Sequence, residues 1–269
     1  SLVRQRVSLF PFLLLALSFS VAAQTSTTQL SGTITDSSGA VVPGATVVAT
    51  NESTGLRYTQ NTTDAGLYAF PSIPVGSYTL NVEKTGFKKF QRSKIVLQIN
   101  TPADVSAQLE LGLSTETVQV EATAEALNTT NATIGNVVER KAIEALPLNG
   151  RNPLNLLIYE PGVVQRSGGT ISVNGSRTGA VNVTIDGIEA NENTNPNPVN
   201  NIFRLNPDNV QEFKVTTSNP SAEEGRNSGA NVSVATRSGT NEYHGTVFEF
   251  FRNTALNSNE FFSRAQGLD

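Results

Sequence analysis

The 269-residue chain has no cysteine, no methionine, no tryptophan and a single histidine, His244. Without Cys there is no disulfide scaffold, no thiolate metal site and no cysteine nucleophile. One imidazole supports neither a histidine metal cluster nor a relay of several bases. Gene products begin with Met, so a chain that opens at Ser1 and contains none is expected to be a piece of a longer product. Charge is sparse as well: 16% of residues are charged and the formal net charge is −4. A basic nucleic-acid footprint is missing, so no nucleic-acid partner is expected. No two glycines are spaced Gly-x-Gly, and neither a Walker A sequence nor Gly-x-Ser-x-Gly occurs. Asp186 and Glu189 lie three apart, but a hairpin turn accounts for the first without acid–base chemistry. No catalytic residue, metal site or cofactor is expected, and the chain does not read as an enzyme.

Polarity is carried instead by 30 Thr and 27 Asn. Thr suits strands and Asn suits turns, which favours turn-rich β structure over helical bundles. Sequons such as Asn61-Thr-Thr follow from this abundance and imply no glycosylation. At the N-terminus, Arg4 and Arg6 precede an apolar run from Val7 to Phe19, then Val21-Ala22-Ala23 before Gln24. A positive region, about a dozen apolar residues and small residues at a cut site describe a secretory signal peptide over residues 1–23. The run is short of the roughly 20 apolar residues that a spanning helix needs. An exported mature chain starting at Gln24, with a net charge of −6 after loss of both arginines, is expected.

Residues 24–113 alternate short β-rich runs with Gly, Pro, Asn and Asp. Strands are expected at Gln29–Thr35, Thr46–Asn51, Tyr58–Thr62, Leu67–Pro71, Gly76–Val82, Phe87–Val96 and Ala103–Leu111. Turn signals fall between them at Ser38-Gly39, Pro43-Gly44, Asp64-Ala65-Gly66 and Thr85-Gly86. Short strands so punctuated argue for an antiparallel sandwich. In Thr79-Leu80-Asn81-Val82 the alternation assigns Leu80 and Val82 to the buried face. Three stretches then carry a resemblance, in order and spacing: Gly32-Thr-Ile-Thr-Asp36 through Val47, Thr63-Asp64-Ala65-Gly66-Leu67-Tyr68-Ala69-Phe70, and Ile73-Pro74-Val75-Gly76-Ser77-Tyr78 with Gly86-Phe87. They resemble the carboxypeptidase regulatory-like domain, which implies a seven-stranded, transthyretin-like sandwich of the carbohydrate-binding-like folds. No peptidase chemistry comes with it, because no His-x-x-Glu is present. Tyr68, Phe70 and Tyr78 serve as core mass in a small sandwich; contact with a ligand is the other role open to them.

The linker over residues 114–127 contains Thr117-Val118-Gln119-Val120-Glu121-Ala122, with Val118 and Val120 alternating between polar residues. In receptors with this N-terminal module, the stretch resembles a TonB box, to which a periplasmic TonB-type energy-transducing protein adds a strand and pulls. Strand addition takes affinity from main-chain hydrogen bonds and specificity from alternate side chains. The alternative is that Val118 and Val120 belong to a last sandwich strand or a first strand of the next domain.

Residues 128–239 read differently. Val137 to Ala145 has a helical pattern that ends before Pro147. Asn152-Pro153 is an N-cap and first-turn pair opening a helix that runs to Pro161. Strands are expected at Thr170–Val173, Ala180–Ile185, Glu212–Thr217 and Ala230–Thr236, with a helical turn near Pro207–Val210. Asp186-Gly187 is a type I′ hairpin signal. Leu146-Pro-Leu-Asn-Gly-Arg151-Asn152, Pro161-Gly162-Val163, Ser172-Val-Asn-Gly-Ser-Arg177, Ile185-Asp-Gly-Ile188, Asn206-Pro-Asp-Asn-Val-Gln-Glu-Phe-Lys-Val215 and Arg237-Ser-Gly-Thr-Asn-Glu-Tyr-His-Gly245 resemble the plug domain of TonB-dependent outer-membrane receptors of the Oar-like group. Ser221-Ala-Glu-Glu-Gly-Arg226 belongs to the same resemblance, with Glu224 in place of the aromatic residue usual there. Arg151, Arg177 and Arg226 are candidates for internal pairing, with solvation the alternative. Gly245–Arg252 alternates Phe248 and Phe250 against Val247, Glu249 and Phe251, as in a first strand of an outer-membrane barrel; residues 240–269 hold too few strands to close one.

The expected fold is thus mainly β: the sandwich, a small α/β plug domain and the first strand of a truncated outer-membrane β-barrel. The resemblance implies the N-terminal part of an outer-membrane receptor that imports a bulky nutrient, a saccharide or peptide, with sandwich and plug on the periplasmic side. A periplasmic or surface carbohydrate-binding or adhesion module is the competing reading.

Overall fold

The computed structural model describes residues 26–112, 117–121 and 132–245, interrupted at 147, 167, 193, 201–202 and 225–227, and a few positions between 247 and 266. The leader over residues 1–23 and most of the expected barrel strand over Gly245–Arg252 lie outside the described residues.

Two sheets make the sandwich. One contains β1 (Thr27–Asp36) between β4 (Leu67–Pro74) and the short strands β7 (Ala103–Asp104) and β8 (Ala107–Leu109). The other has the order β3 (Arg57–Asn61), β2 (Thr46–Asn51), β5 (Gly76–Glu83), β6 (Lys89–Leu97), β9 (Thr117–Glu121). The strand expected over Ala103–Leu111 is split because Ser106 Oγ, in place of a ladder carbonyl, takes the Thr33 N–H at 3.1 Å. The antiparallel expectation also needs correction. β7 and β8 pair parallel to β1, and β9 parallel to β6. Parallel neighbours require a crossover, and the chain makes one between the sheets after β6 and another before β9.

Alternation sets the core. Along β5 the side chains of Tyr78, Leu80 and Val82 are buried while Thr79 and Asn81 face outward. They pack with Val47 and Ile95 of the neighbouring strands and with Leu30, Ile34, Phe70 and Leu109 of the facing sheet. Tyr68 and Tyr78 are core residues that keep their hydroxyls paired, to Val105 O at 2.6 Å and Pro74 O at 2.9 Å. Burial therefore pushes both phenols up, Tyr78 to about 12. Gly66, with φ +70°, shows why a turn glycine is needed: a Cβ there would meet Ile34 O at 2.8 Å.

The second domain is built on a five-stranded sheet, in the order β10 (Ile134–Glu139), β15 (Val210–Ser218), β16 (Ala230–Thr236), β13 (Val181–Ile185), β14 (Ile188–Glu189). A separate hairpin joins β11 (Val163–Gln165) to β12 (Ile171–Val173). The helix expected over Val137–Ala145 is shorter than that pattern: Val137 to Glu139 complete β10 against β15, and only Arg140–Ala145 form helix α1. Pairing with a long partner strand outweighs a weak helical preference. Asn152 caps as expected, its side chain accepting from Leu154 N at 3.0 Å, but Pro153–Tyr159 winds as a 3-10 helix. Asp186 and Gly187 both have positive φ and close the β13–β14 hairpin, as the type I′ signal requires.

The two faces of this sheet differ. Val181, Val183, Phe213, Val215, Val232 and Val234 point to one side and pack with Ile143, Leu154 and Leu157 from the helical segments. Strand periodicity sends Asn182, Thr184, Glu212, Lys214, Thr216, Asn231 and Ser233 to the other side. That polar face is covered too: Glu212, Lys214, Thr216, Asn231 and Ser233 are all buried.

Candidate functional site

The segment expected to dock TonB is a strand of the sandwich. Thr117, Val118, Gln119, Val120 and Glu121 pair in register with Lys89, Phe90, Gln91, Arg92 and Ser93. Thr117 and Gln119 are exposed and Val118 is half-buried. Ala122 lies outside the described residues. β9 is an edge strand, so among the described residues its outer side has no strand partner. Parallel pairing is slightly weaker per residue than antiparallel pairing, and this stretch is only five residues long. The alternative of a last sandwich strand is the position this stretch takes in the structure.

β6 leads from β9 directly to the seam between the domains. The turn after β6 places Ile99 and Asn100 against the polar face of the second domain. The Glu212 carboxylate accepts from Ile99 N at 2.5 Å, and Lys214 Nζ donates to Asn100 O at 2.6 Å. One peptide turn is therefore held by an acceptor and a donor two residues apart on β15. Asn100 Nδ2 adds a bond to Ser233 Oγ at 2.8 Å, and Gln98 Nε2 one to Glu139 at 3.1 Å. Ile99, Val75 and Ala235 form a small apolar cluster across the seam. At its far end Ser26 Oγ donates to Asp186 Oδ1 at 3.0 Å, while Asp186 also accepts from Thr236 N and Oγ1.

Burial dominates the electrostatics here. Desolvation pushes Glu212 up to about 7; the Ile99 N–H opposes this and the Glu139 charge adds to it. Desolvation lowers the Lys214 ammonium from its ordinary value, while Glu224 pulls the other way. Both groups retain a hydrogen-bond partner, as buried charges must.

Sequence motifs in the second domain meet one another. Arg151 donates to Asp208 Oδ2 at 2.8 Å and Asn206 Oδ1 at 3.3 Å, linking the Asn149-Gly-Arg and Asn206-Pro-Asp stretches. Gly162 O accepts from Asn174 N, and Asn174 Nδ2 donates to Thr217 O. Arg177 is exposed, whereas Arg226 lies outside the described residues. Glu224 accepts from Thr216 Oγ1 and Ser221 N, a polar use of the position where an aromatic is usual. Ile99, Asn100, Glu212, Lys214 and Asn231 were not singled out by sequence. Glu212-Phe-Lys-Val alternates like any strand with one solvated face, and nothing local shows that another domain covers it.

Two domains in this order, a regulatory-like sandwich and a small mixed sheet with one polar face, match known families along the chain. Residues 29–110 match the carboxypeptidase regulatory-like domain, residues 126–232 the TonB-dependent receptor plug domain, and residues 235–268 an outer membrane beta barrel domain. The chain belongs to the TonB-dependent outer-membrane receptors, and its place is the outer membrane. Within that class it is of the Oar-like group: it is 31% identical over 239 residues to the TonB-dependent transporter Oar of Myxococcus xanthus. That match takes in 84% of this chain and 22% of the relative, so the chain spans about a fifth of its length. Among solved structures, the Bacillus anthracis TIE protein is 18% identical over 32% of this chain and 17% of its own, with a TM-score of 0.28. Klebsiella pneumoniae 5-hydroxyisourate hydrolase is 23% identical over 32% of this chain and 91% of its own, with a TM-score of 0.27. Likenesses at these scores support no inference about function.

Proposed function

We propose that the chain is the periplasm-facing part of an energy-coupled importer of a bulky nutrient, a saccharide or peptide. In this reading residues 128–239 gate a barrel lumen, and Thr117–Ala122 receives a strand from a TonB-type protein. The observation that supports it most is the position of β9: a short, parallel edge strand immediately before the plug, its outer side without a strand partner among the described residues. An extended partner segment can hydrogen-bond to that side, or can replace β6 as β9 peels away. Force applied there reaches the plug by the covalent connection into β10, which pairs with β15.

The lack of cysteine in the chain makes a direct test available. Gln91 and Gln119 are register neighbours on β6 and β9, and a Gln91→Cys/Gln119→Cys pair would tie the strands when oxidised. In a receptor carrying the barrel, the reduced double variant is expected to import normally and the oxidised form to bind ligand outside the cell without importing it. Titration with the cognate TonB C-terminal domain separates the two routes. Weakened binding after oxidation indicates that β9 must detach, whereas unchanged binding indicates addition to its open side. No binding by either form, or import unchanged when oxidised together with no effect of Val118→Pro, rejects Thr117–Ala122 as the docking segment.

A further inference from the structure

Between the polar face of the plug sheet and the sandwich lies a cleft of about 680 Å³. Its floor includes Asn182, Thr184, Asn231 and Ser233 on adjacent strands, and its opposite wall includes Thr28 and Asn100. Neither domain forms it alone. Its size is within the range of small-molecule sites, which favour domain interfaces.

Asn231 sets this cleft apart from an ordinary polar gap. It is 3% exposed, and among the described residues neither its Nδ2 nor its Oδ1 has a hydrogen-bond partner. Its neighbours are engaged: Asn182 Oδ1 accepts from Asn191, Ser233 Oγ from Asn100 and Thr184, and Thr28 Oγ1 donates to Thr101 O. A buried amide missing both its donor and acceptor contacts is rare in folded proteins and is ordinarily met by water or ligand.

The surrounding groups define what fits. Among the described residues no Lys or Arg lines the cleft, so nothing there selects phosphate or carboxylate. Two carboxylates stand on the rim: Glu224, which accepts from Thr216 Oγ1 and Ser221 N, and Glu189, which accepts from Asn191 Nδ2. Beside them stand amides and hydroxyls: the Asn231 amide can both donate and accept, and the Thr28 and Thr184 hydroxyls, which already donate, can accept. Adjacent hydroxyls of a sugar ring also donate and accept, and Pro71 and Pro102 offer apolar edges for its C–H face. We propose that this interdomain cleft binds a neutral mono- or disaccharide, with the Asn231 amide as its principal polar contact, and that the bound sugar bridges sandwich and plug. The proposal concerns a site between the domains and does not depend on TonB coupling.

The test is calorimetric titration of the full chain with maltose, cellobiose and xylobiose, with tetramethylammonium as a cationic probe. At least one sugar is expected to bind saturably. Asn231→Leu should weaken it by about tenfold or more, the scale of a lost buried hydrogen-bonding group. The same variant should keep its circular dichroism and melt no lower than the parent, because it removes an unmet amide. Thr184→Val, on the neighbouring strand, provides a second readout should Asn231→Leu fold poorly. The sugar should also slow hydrogen exchange of the Ile99 amide, since it joins the two walls. Failure of all three sugars to bind, binding that neither variant weakens, or preference for the cation would each overturn the proposal.

Discussion

The sandwich and the plug solve burial differently. In the sandwich, two sheets turn their apolar faces to each other, so Tyr78, Leu80 and Leu30 find their cover within one domain. In the plug, helical segments cover only one face of the sheet, and the other carries Glu212, Lys214, Thr216, Asn231 and Ser233. An apolar face needs any dry surface of suitable shape, whereas a buried polar face needs a partner that returns its hydrogen bonds. For Glu212, Lys214 and Ser233 the sandwich supplies that partner through one turn, Ile99–Asn100. The comparison suggests a self-sufficient domain beside one whose second face is completed from outside.

Core truncations should have the largest effect and should separate the two domains. Tyr78→Ala is expected to cost about 3–5 kcal/mol in the sandwich, and Phe213→Ala a similar amount in the plug. If the sandwich is self-sufficient, hydrogen exchange should report Phe213→Ala in the plug strands while β2 and β5 stay protected. Equal loss of protection in both domains would show a single cooperative unit and break the distinction. Gly66→Ala comes next, at about 1–2 kcal/mol, because φ +70° and the approach of Ile34 O both disfavour a Cβ. Thermal denaturation unchanged by this substitution would mean that the turn relaxes freely.

The seam should respond to pH. Glu212 titrates near 7 when buried, against an ordinary value of 4.5. The closed form therefore binds a proton that the open form releases between those values. Stability of the seam should decline as pH rises from about 4.5 to about 7 and level off above, the reverse of a paired surface carboxylate. Glu212→Gln keeps an oxygen for Ile99 N–H and should flatten that slope; an undiminished slope would assign the titration to another group. Smallest is Arg151→Ala, at about 1 kcal/mol. Its bond to Asp208 is half-exposed, and such pairs contribute little.

Much of this arrangement is legible in the sequence. The β2, β5 and β16 strands, the Asn152 cap and the Asp186-Gly187 hairpin follow from local chemistry and hold in the structure. What escapes is decided by contacts distant in sequence. Val137–Glu139 pairs with β15 across more than 70 residues, and no local pattern distinguishes it from the helix that follows. β11 is three residues long and is defined only by β12. β9 shows its alternation in sequence but not its parallel partner. The polar face is hidden for the same reason: Glu212 and Lys214 alternate with Phe213 and Val215 as in any half-solvated strand, and only the fold brings Ile99 to them.

The claim that the sandwich completes the plug by the grip of Glu212 and Lys214 on the 99–100 turn is tested most directly by amide hydrogen exchange at Ile99. In the intact chain that amide should be strongly protected. In Glu212→Ala/Lys214→Ala its protection should fall toward that of an open loop, while Leu80 in the sandwich core keeps its own. An Ile99 amide that exchanges rapidly in the unmodified chain, or equally slowly in the double variant, would contradict the account.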